Sequence, residues 1–114
     1  MRLTGIFLMA SMFSSVSLAS GSGTGSILGY IPSTTGSAQE FFVVSTSAIT
    51  GTPSCNTSSR FALSSADPKY KSTLASVMAA FYSGAQVHIV GNGTCNVFSN
   101  AEDIAYICFG SIPC

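Results

Sequence analysis

The stretch CNTSSRFALSSADPKYKSTLASVMAAFYSGAQVHIVGNGTC, Cys55 to Cys95, sets a strand, a punctuated helix and a second strand between two cysteines. Within it RFALS (Arg60 to Ser64) alternates, with Phe61 and Leu63 on one face and Arg60, Ala62 and Ser64 on the other, as in a half-buried strand. A helix follows at once. Asp67 can accept hydrogen bonds from free backbone N–H groups as N-cap, Pro68 at the first helical position loses nothing by lacking its own N–H, and Gly84 can end the helix with positive φ. Between them Tyr70, Leu74, Val77, Met78 and Phe81 gather on one stripe, which is expected to face the core. The opposite surface carries Ser72, Ser76, Ala79, Ala80 and Ser83, small residues that suit either a solvated face or the close approach of another backbone. QVHIV (Gln86 to Val90) returns as a strand with Val87 and Ile89 on one face, and Gly91-Asn92-Gly93 turns the chain before Cys95.

Outward from this block, Ile27 to Ile31 reads as a strand, Pro32 to Ala38 as a turn, and EFFVVST (Glu40 to Thr46) as the returning strand of a hairpin. In the returning strand Phe41 and Val43 oppose Phe42 and Val44, so both faces are apolar. One face belongs to the core. The other must lie under the helix, beneath a loop or against another subunit. Ile104 to Phe109 repeats the pattern, with Ile104 and Tyr106 opposed to Ile107 and Phe109, and is expected to be buried on both sides.

At the N-terminus Arg2 precedes an apolar run from Leu3 to Phe13, and Ser17-Leu18-Ala19 offers small residues where signal peptidase accepts them. Residues 1–19 are therefore expected to be a secretory signal peptide cleaved after Ala19. The run falls short of the ~20 residues a membrane-crossing helix needs, so no membrane span is expected in the mature chain. SGSGTGS (Ser20 to Ser26) reads as a flexible leader, and residues 27–114 as the single domain. Without Arg2 the chain holds three cations, Arg60, Lys69 and Lys71, against four acids, a net charge of −1. Such sparse cations make neither a nucleic-acid footprint nor a polybasic membrane patch.

All four cysteines, Cys55, Cys95, Cys108 and Cys114, lie in this mature part. A secreted or periplasmic location makes two disulfides the natural reading. Three connectivities are open, and proximity after folding suggests Cys55–Cys95 and Cys108–Cys114. A zinc site would need closely spaced cysteine pairs, which are absent, so neither metal nor other cofactor is expected.

Catalytic machinery is not evident, and no enzyme activity is expected. His88 sits in mid-strand, where a partly buried strand residue is the ordinary role. Glu102 and Asp103 read as turn carboxylates in water, because adjacent residues point apart and poorly share acid and base roles. Asn56-Thr57-Ser58 and Asn92-Gly93-Thr94 match the glycosylation sequon, a frequent coincidence in chains rich in Ser and Thr.

The order strand, strand, strand, helix, strand, strand predicts a mainly β domain with one helix, an OB-fold-like small Greek-key barrel with the helix between the third and fourth strands. The block PSCNTSSRFALSSADPKYKSTLASVMAAFYSGAQVHIVGNGTCNVFSNAEDIAYI resembles the B subunits of subtilase-cytotoxin type. It covers about half of the chain. The DPKYKSTL helix start, SGAQVHIVG after the helix, and GTCNV leading to EDIAYI carry the likeness. The resemblance implies a homopentameric ring of OB-fold subunits that binds cell-surface glycans and carries a separate catalytic A subunit. In that ring the helix lines a central pore, where Ser72, Ser76, Ala79 and Ser83 allow close packing.

Two departures stand out. The family's sialic-acid-contacting serine before the first-strand glycine is Leu28 here, before Gly29. The family's second-strand cysteine is absent, which again pairs Cys55 with Cys95. Ser26, Tyr30 and Ser45 are the candidate ligand contacts, because saccharides take hydrogen bonds together with an apolar stacking surface. The alternative is a secreted or periplasmic module that docks a protein through its apolar strand face and binds no sugar.

Overall fold

The apolar runs become five strands and one helix in the computed structural model, which describes Gly5 and residues 20–114. The expected signal peptide, residues 1–19, lies outside the described residues apart from Gly5. Among those described, no helix is long and apolar enough to cross a membrane.

The elements are β1 (Ser22–Thr34), β2 (Glu40–Thr50), β3 (Phe61–Ser64), α1 (Tyr70–Ser83), β4 (Gln86–Gly91) and β5 (Glu102–Phe109). The sheet closes on itself in the order β1-β2-β3-β5-β4. Every pairing is antiparallel except the short one between β3 and β5. The chain is thus mainly β with its helix between the third and fourth strands, and the closed order is compatible with an OB-fold-like barrel.

The first strand is longer than the sequence predicts. Of residues 20–26, expected as a flexible leader, Ser22 to Ser26 supply the first 5 of the 13 residues of β1. Ser22 pairs with both Thr50 and Val90, and Ser26 with Gln86. A run of Gly and Ser reads as a linker by composition, yet here glycine answers to crowding. A Cβ on Gly23 would press on the Thr46 hydroxyl and the Phe61 ring, so the strand passes at a distance only glycine allows.

Inside the barrel Phe42, Val44, Phe61, Leu63, Val87, Ile89 and Ile104 form the main core, closed at one end by Tyr70, Val77 and Ala80 of α1. Phe61 and Leu63 share this core while Ala62 faces outward, the alternation the sequence predicts. On α1 the stripe is rotated from expectation. Tyr70, Leu74, Val77 and Phe81 do pack on the core, but Met78 is 41% exposed and Ala80, placed on the opposite surface, is buried. Each helical residue turns ~100°, so Met78 and Ala80 flank the Tyr70–Val77 line on opposite sides, and the barrel rim meets the Ala80 side.

The helix also begins two residues late. Tyr70 is its first residue, with Lys69 at the cap position, rather than Pro68 after an Asp67 cap. Asp67 still does the chemistry of a cap, because its Oδ1 accepts the Lys69 N–H at 2.8 Å. That bond, ahead of the Lys69 ammonium, holds the Asp67 carboxyl below the ordinary carboxylate value. The helix ends as expected. Gly84 takes φ 70°, the Gly84 N–H reaches the Phe81 carbonyl and the Ala85 N–H reaches the Ala80 carbonyl, a Schellman closure.

Of the three covers open to the second face of β2, the molecule uses a loop. Phe41 and Val43 pack with Ala62 and Ala101 under Val97 and Phe98 of the β4–β5 connection, and the Phe41 and Phe98 rings stack at 5.4 Å. β5 departs from expectation at a bulge. Val90 pairs with Tyr106 and Gly91 with Ile104, leaving Ala105 unpaired. One extra residue switches the facing of those after it. Ile104, Ile107 and Phe109 consequently all pack on the main core, while Tyr106 turns outward and is exposed.

Cys55 is bonded to Cys95 and Cys108 to Cys114, leaving no free cysteine. The first bond ties the β2–β3 loop to the cover over Phe41. The second pins the C-terminal tail beside β4.

Candidate binding groove

A second irregularity builds the site. Ile27 pairs with Thr46 and Gly29 with Ser45, so Leu28 has no partner across the hairpin and bulges out, 64% exposed. Past the bulge Gly29 and Ile31 share the outer face of the barrel with Ser45 and Val43 opposite them. These four, with Leu28 and Arg60, line an open groove of about 310 Å³.

Arg60 gives the groove its only formal charge. Its Nη2 donates to Asn100 Oδ1 at 3.0 Å, its guanidinium lies 5.6 Å from the centre of the Phe98 ring, and its Nε is buried without a partner. The guanidinium is therefore fixed in place by the loop that covers Phe41. Ser45 Oγ donates to the Ser59 carbonyl at 2.9 Å, which leaves its oxygen lone pairs for a ligand. Ile31, 53% exposed, supplies an apolar wall.

Of the residues expected to meet a ligand, the structure brings only Ser45 fully into the groove. Tyr30 borders it by its strand position, but its ring packs edge-on against Phe81 at 5.8 Å on the core side. Burial and the neighbouring Tyr82 hydroxyl raise its phenol pKa. Ser26 pairs with Gln86 at the β1–β4 seam and lines no part of the groove. Two irregularities in β1, one between Thr24 and Ile27 and one at Leu28, break the simple alternation linking Ser26 to Tyr30. Arg60, Val43 and Ile31 were not among the expected contacts. Alternation in RFALS already set Arg60 on the face away from Phe61 and Leu63, and that face is the one the groove uses.

The helix residues expected to pack between subunits remain accessible. Ser72, Ala79 and Ser83 are exposed and Ser76 is half-buried. Ser76, Ala79 and Ser83 line a shallow depression with Ala80, Ala85 and Phe109.

Glu102 and Asp103, expected as solvated turn carboxylates, are both buried at the start of β5. Glu102 is fully enclosed and accepts only backbone donors: Gly21 N–H at 3.1 and 2.9 Å on its two oxygens, and Gly93 N–H at 2.9 Å. A Cβ on Gly21 or Gly91 would overlap this carboxylate, which explains those glycines. Asp103 accepts the Thr94 hydroxyl at 2.6 Å, the Asn96 N–H at 2.9 and 3.0 Å and the Val97 N–H at 2.9 Å. Successive strand residues point to opposite sides, so one carboxylate pins the N-terminal strand and the other the covering loop. Neither faces the groove, whose lining contains no His, Asp or Glu.

Comparison with protein-family models, with curated proteins and with solved structures finds no match to this chain.

Proposed function

We propose that the protein is a secreted, non-enzymatic binding subunit, similar to toxin B subunits, that recognises cell-surface glycans as a homo-oligomer. The observation that carries the reading is the outer groove. It combines a fixed guanidinium, a hydroxyl with free lone pairs and an apolar wall, the mixture by which a shallow site holds a saccharide. Arg60 narrows the ligand to sugars bearing a carboxylate, because a planar guanidinium pairs with that group in two parallel hydrogen bonds. Two disulfides are compatible with an oxidising, extracellular or periplasmic setting. The exposed small-residue side of α1 is the surface on which subunits would meet around a ring, and a separate catalytic chain would ride on that ring.

A second reading, a protein-docking module without sugar binding, is favoured by Leu28 and Ile31, which leave the groove walled by exposed apolar side chains. Its original surface, the Phe41 side of β2, is already closed by the protein's own loop.

Oxidised protein comprising residues 20–114, applied to a glycan array, is expected to retain sialylated glycans. Ile31→Asp, which puts a like charge into an exposed wall, is expected to abolish retention while leaving the melting temperature unchanged. An array on which no glycan is retained, or retention indifferent to Ile31→Asp, rejects this groove as a sugar site.

A further inference from the structure

We infer that the groove between the tip of the β1–β2 hairpin and the first turns of α1 binds a primary ammonium group, presented by an amino sugar or by a lysine side chain. The groove measures about 400 Å³ and is lined by Pro32, Ser33, Thr34, Glu40, Tyr70 and Leu74. Every polar side-chain atom in that set is an oxygen. Hydroxyls and a carboxylate can all accept, and no side-chain N–H is present to greet an anion. An ammonium is the complementary ligand, with three donors and no acceptor.

Charge and rigidity support the same occupant. Glu40 is the only charged residue of the lining, and the ion pair among the described residues is a different one, Lys69 with Asp67. The Glu40 carboxylate is therefore left for an outside cation. Tyr70 is a fixed wall, because its ring is buried and lies against the Phe42 ring at 5.7 Å. Burial first, and the Glu40 charge second, raise the Tyr70 pKa. Its hydroxyl oxygen carries lone pairs that can accept from an ammonium. Pro32 and Leu74 offer apolar surface to the methylenes of a lysine stem or to the C–H face of a sugar ring. This groove shares no residue with the one beside Arg60, so the two proposals stand or fall separately.

The test is an amide NMR titration of oxidised residues 20–114 with two amines, methyl glucosaminide and Nα-acetyl-lysine methylamide. Their uncharged counterparts, methyl glucoside and Nα-acetyl-norleucine methylamide, serve as matched probes. Saturable shifts at Thr34, Glu40 and Leu74 are expected with the amines and not with the uncharged pair. Glu40→Gln is expected to weaken amine binding at least tenfold, and Tyr70→Phe, which keeps the ring, severalfold. The tighter amine then names the source of the ammonium. Equal shifts with the uncharged probes, amine binding unchanged by Glu40→Gln, or no saturable shift at these amides would overturn the assignment.

Discussion

Replacing Glu102 with Ala is expected to lower the stability of the oxidised domain by about 3–5 kcal/mol, among the largest effects of any single side chain. The carboxylate is fully enclosed and satisfies the Gly21 N–H, 81 residues away along the chain, and the Gly93 N–H, 9 residues away. A buried donor left without a partner costs about 1–3 kcal/mol, and removal of the side chain also leaves a void. In melting temperature that is a fall of roughly 15–30 °C for a domain of this size. The packing makes a sharper form of the same prediction. Gly91→Ala alone should be strongly destabilising because its Cβ overlaps the Glu102 carboxylate, yet cost much less in the Glu102→Ala background. Denaturant titrations of the two single variants and the double variant measure that coupling. Additive costs would show that the carboxylate and the glycines do not form one unit.

Opening the Cys55–Cys95 bond, as the double Ser variant, should cost about 4 kcal/mol from chain entropy over its separation of 40 residues, against about 2 kcal/mol for the Cys108–Cys114 bond over 6. The consequences should also differ in place. Cys95 borders the segment that Asp103 anchors through Thr94, Asn96 and Val97, and that segment covers Phe41 and Val43. Hydrogen exchange in the Cys55→Ser, Cys95→Ser protein should therefore quicken around Val97 and Phe98 before it does in the main core. Loss of the second bond should quicken exchange only at the tail and the end of β5. An equal cost for the two bonds would contradict this ranking.

These two expectations rest on features of unequal legibility. The Cys55–Cys95 block declared its elements because each signal was local: alternation in RFALS, the Asp-Pro entry, the apolar helix positions and the Gly84 exit. The start of β1 was hidden because Gly21, just before the strand, and Gly23 within it are specified by atoms far along the chain, the Glu102 carboxylate and the Phe61 ring, whereas composition alone says linker. Bulges at Leu28 and Ala105 were hidden for a related reason. A bulge is fixed by cross-strand register, and one extra residue reverses every later facing, which turned Tyr106 out and broke the link between Ser26 and Tyr30. Glu102 and Asp103 looked like turn residues because, the Thr94 hydroxyl aside, their partners are backbone N–H groups, which carry no side-chain signature. In the candidate groove the alternation of RFALS was enough to place Arg60, just before β3, outside the core, but the wall it faces depends on the bulge at Leu28.

The proposed function depends most on valency, since a shallow groove holding one sugar is weak and a ring of such grooves is not. The mass in solution of oxidised residues 20–114, by light scattering behind size exclusion, tests this most directly. The account predicts a homo-oligomer with the mass of a pentamer, broken down by bulky substitutions at Ala79 and Ser83 on α1. A monomer at every concentration measured would contradict the ring, and with it the multivalent recognition of glycans.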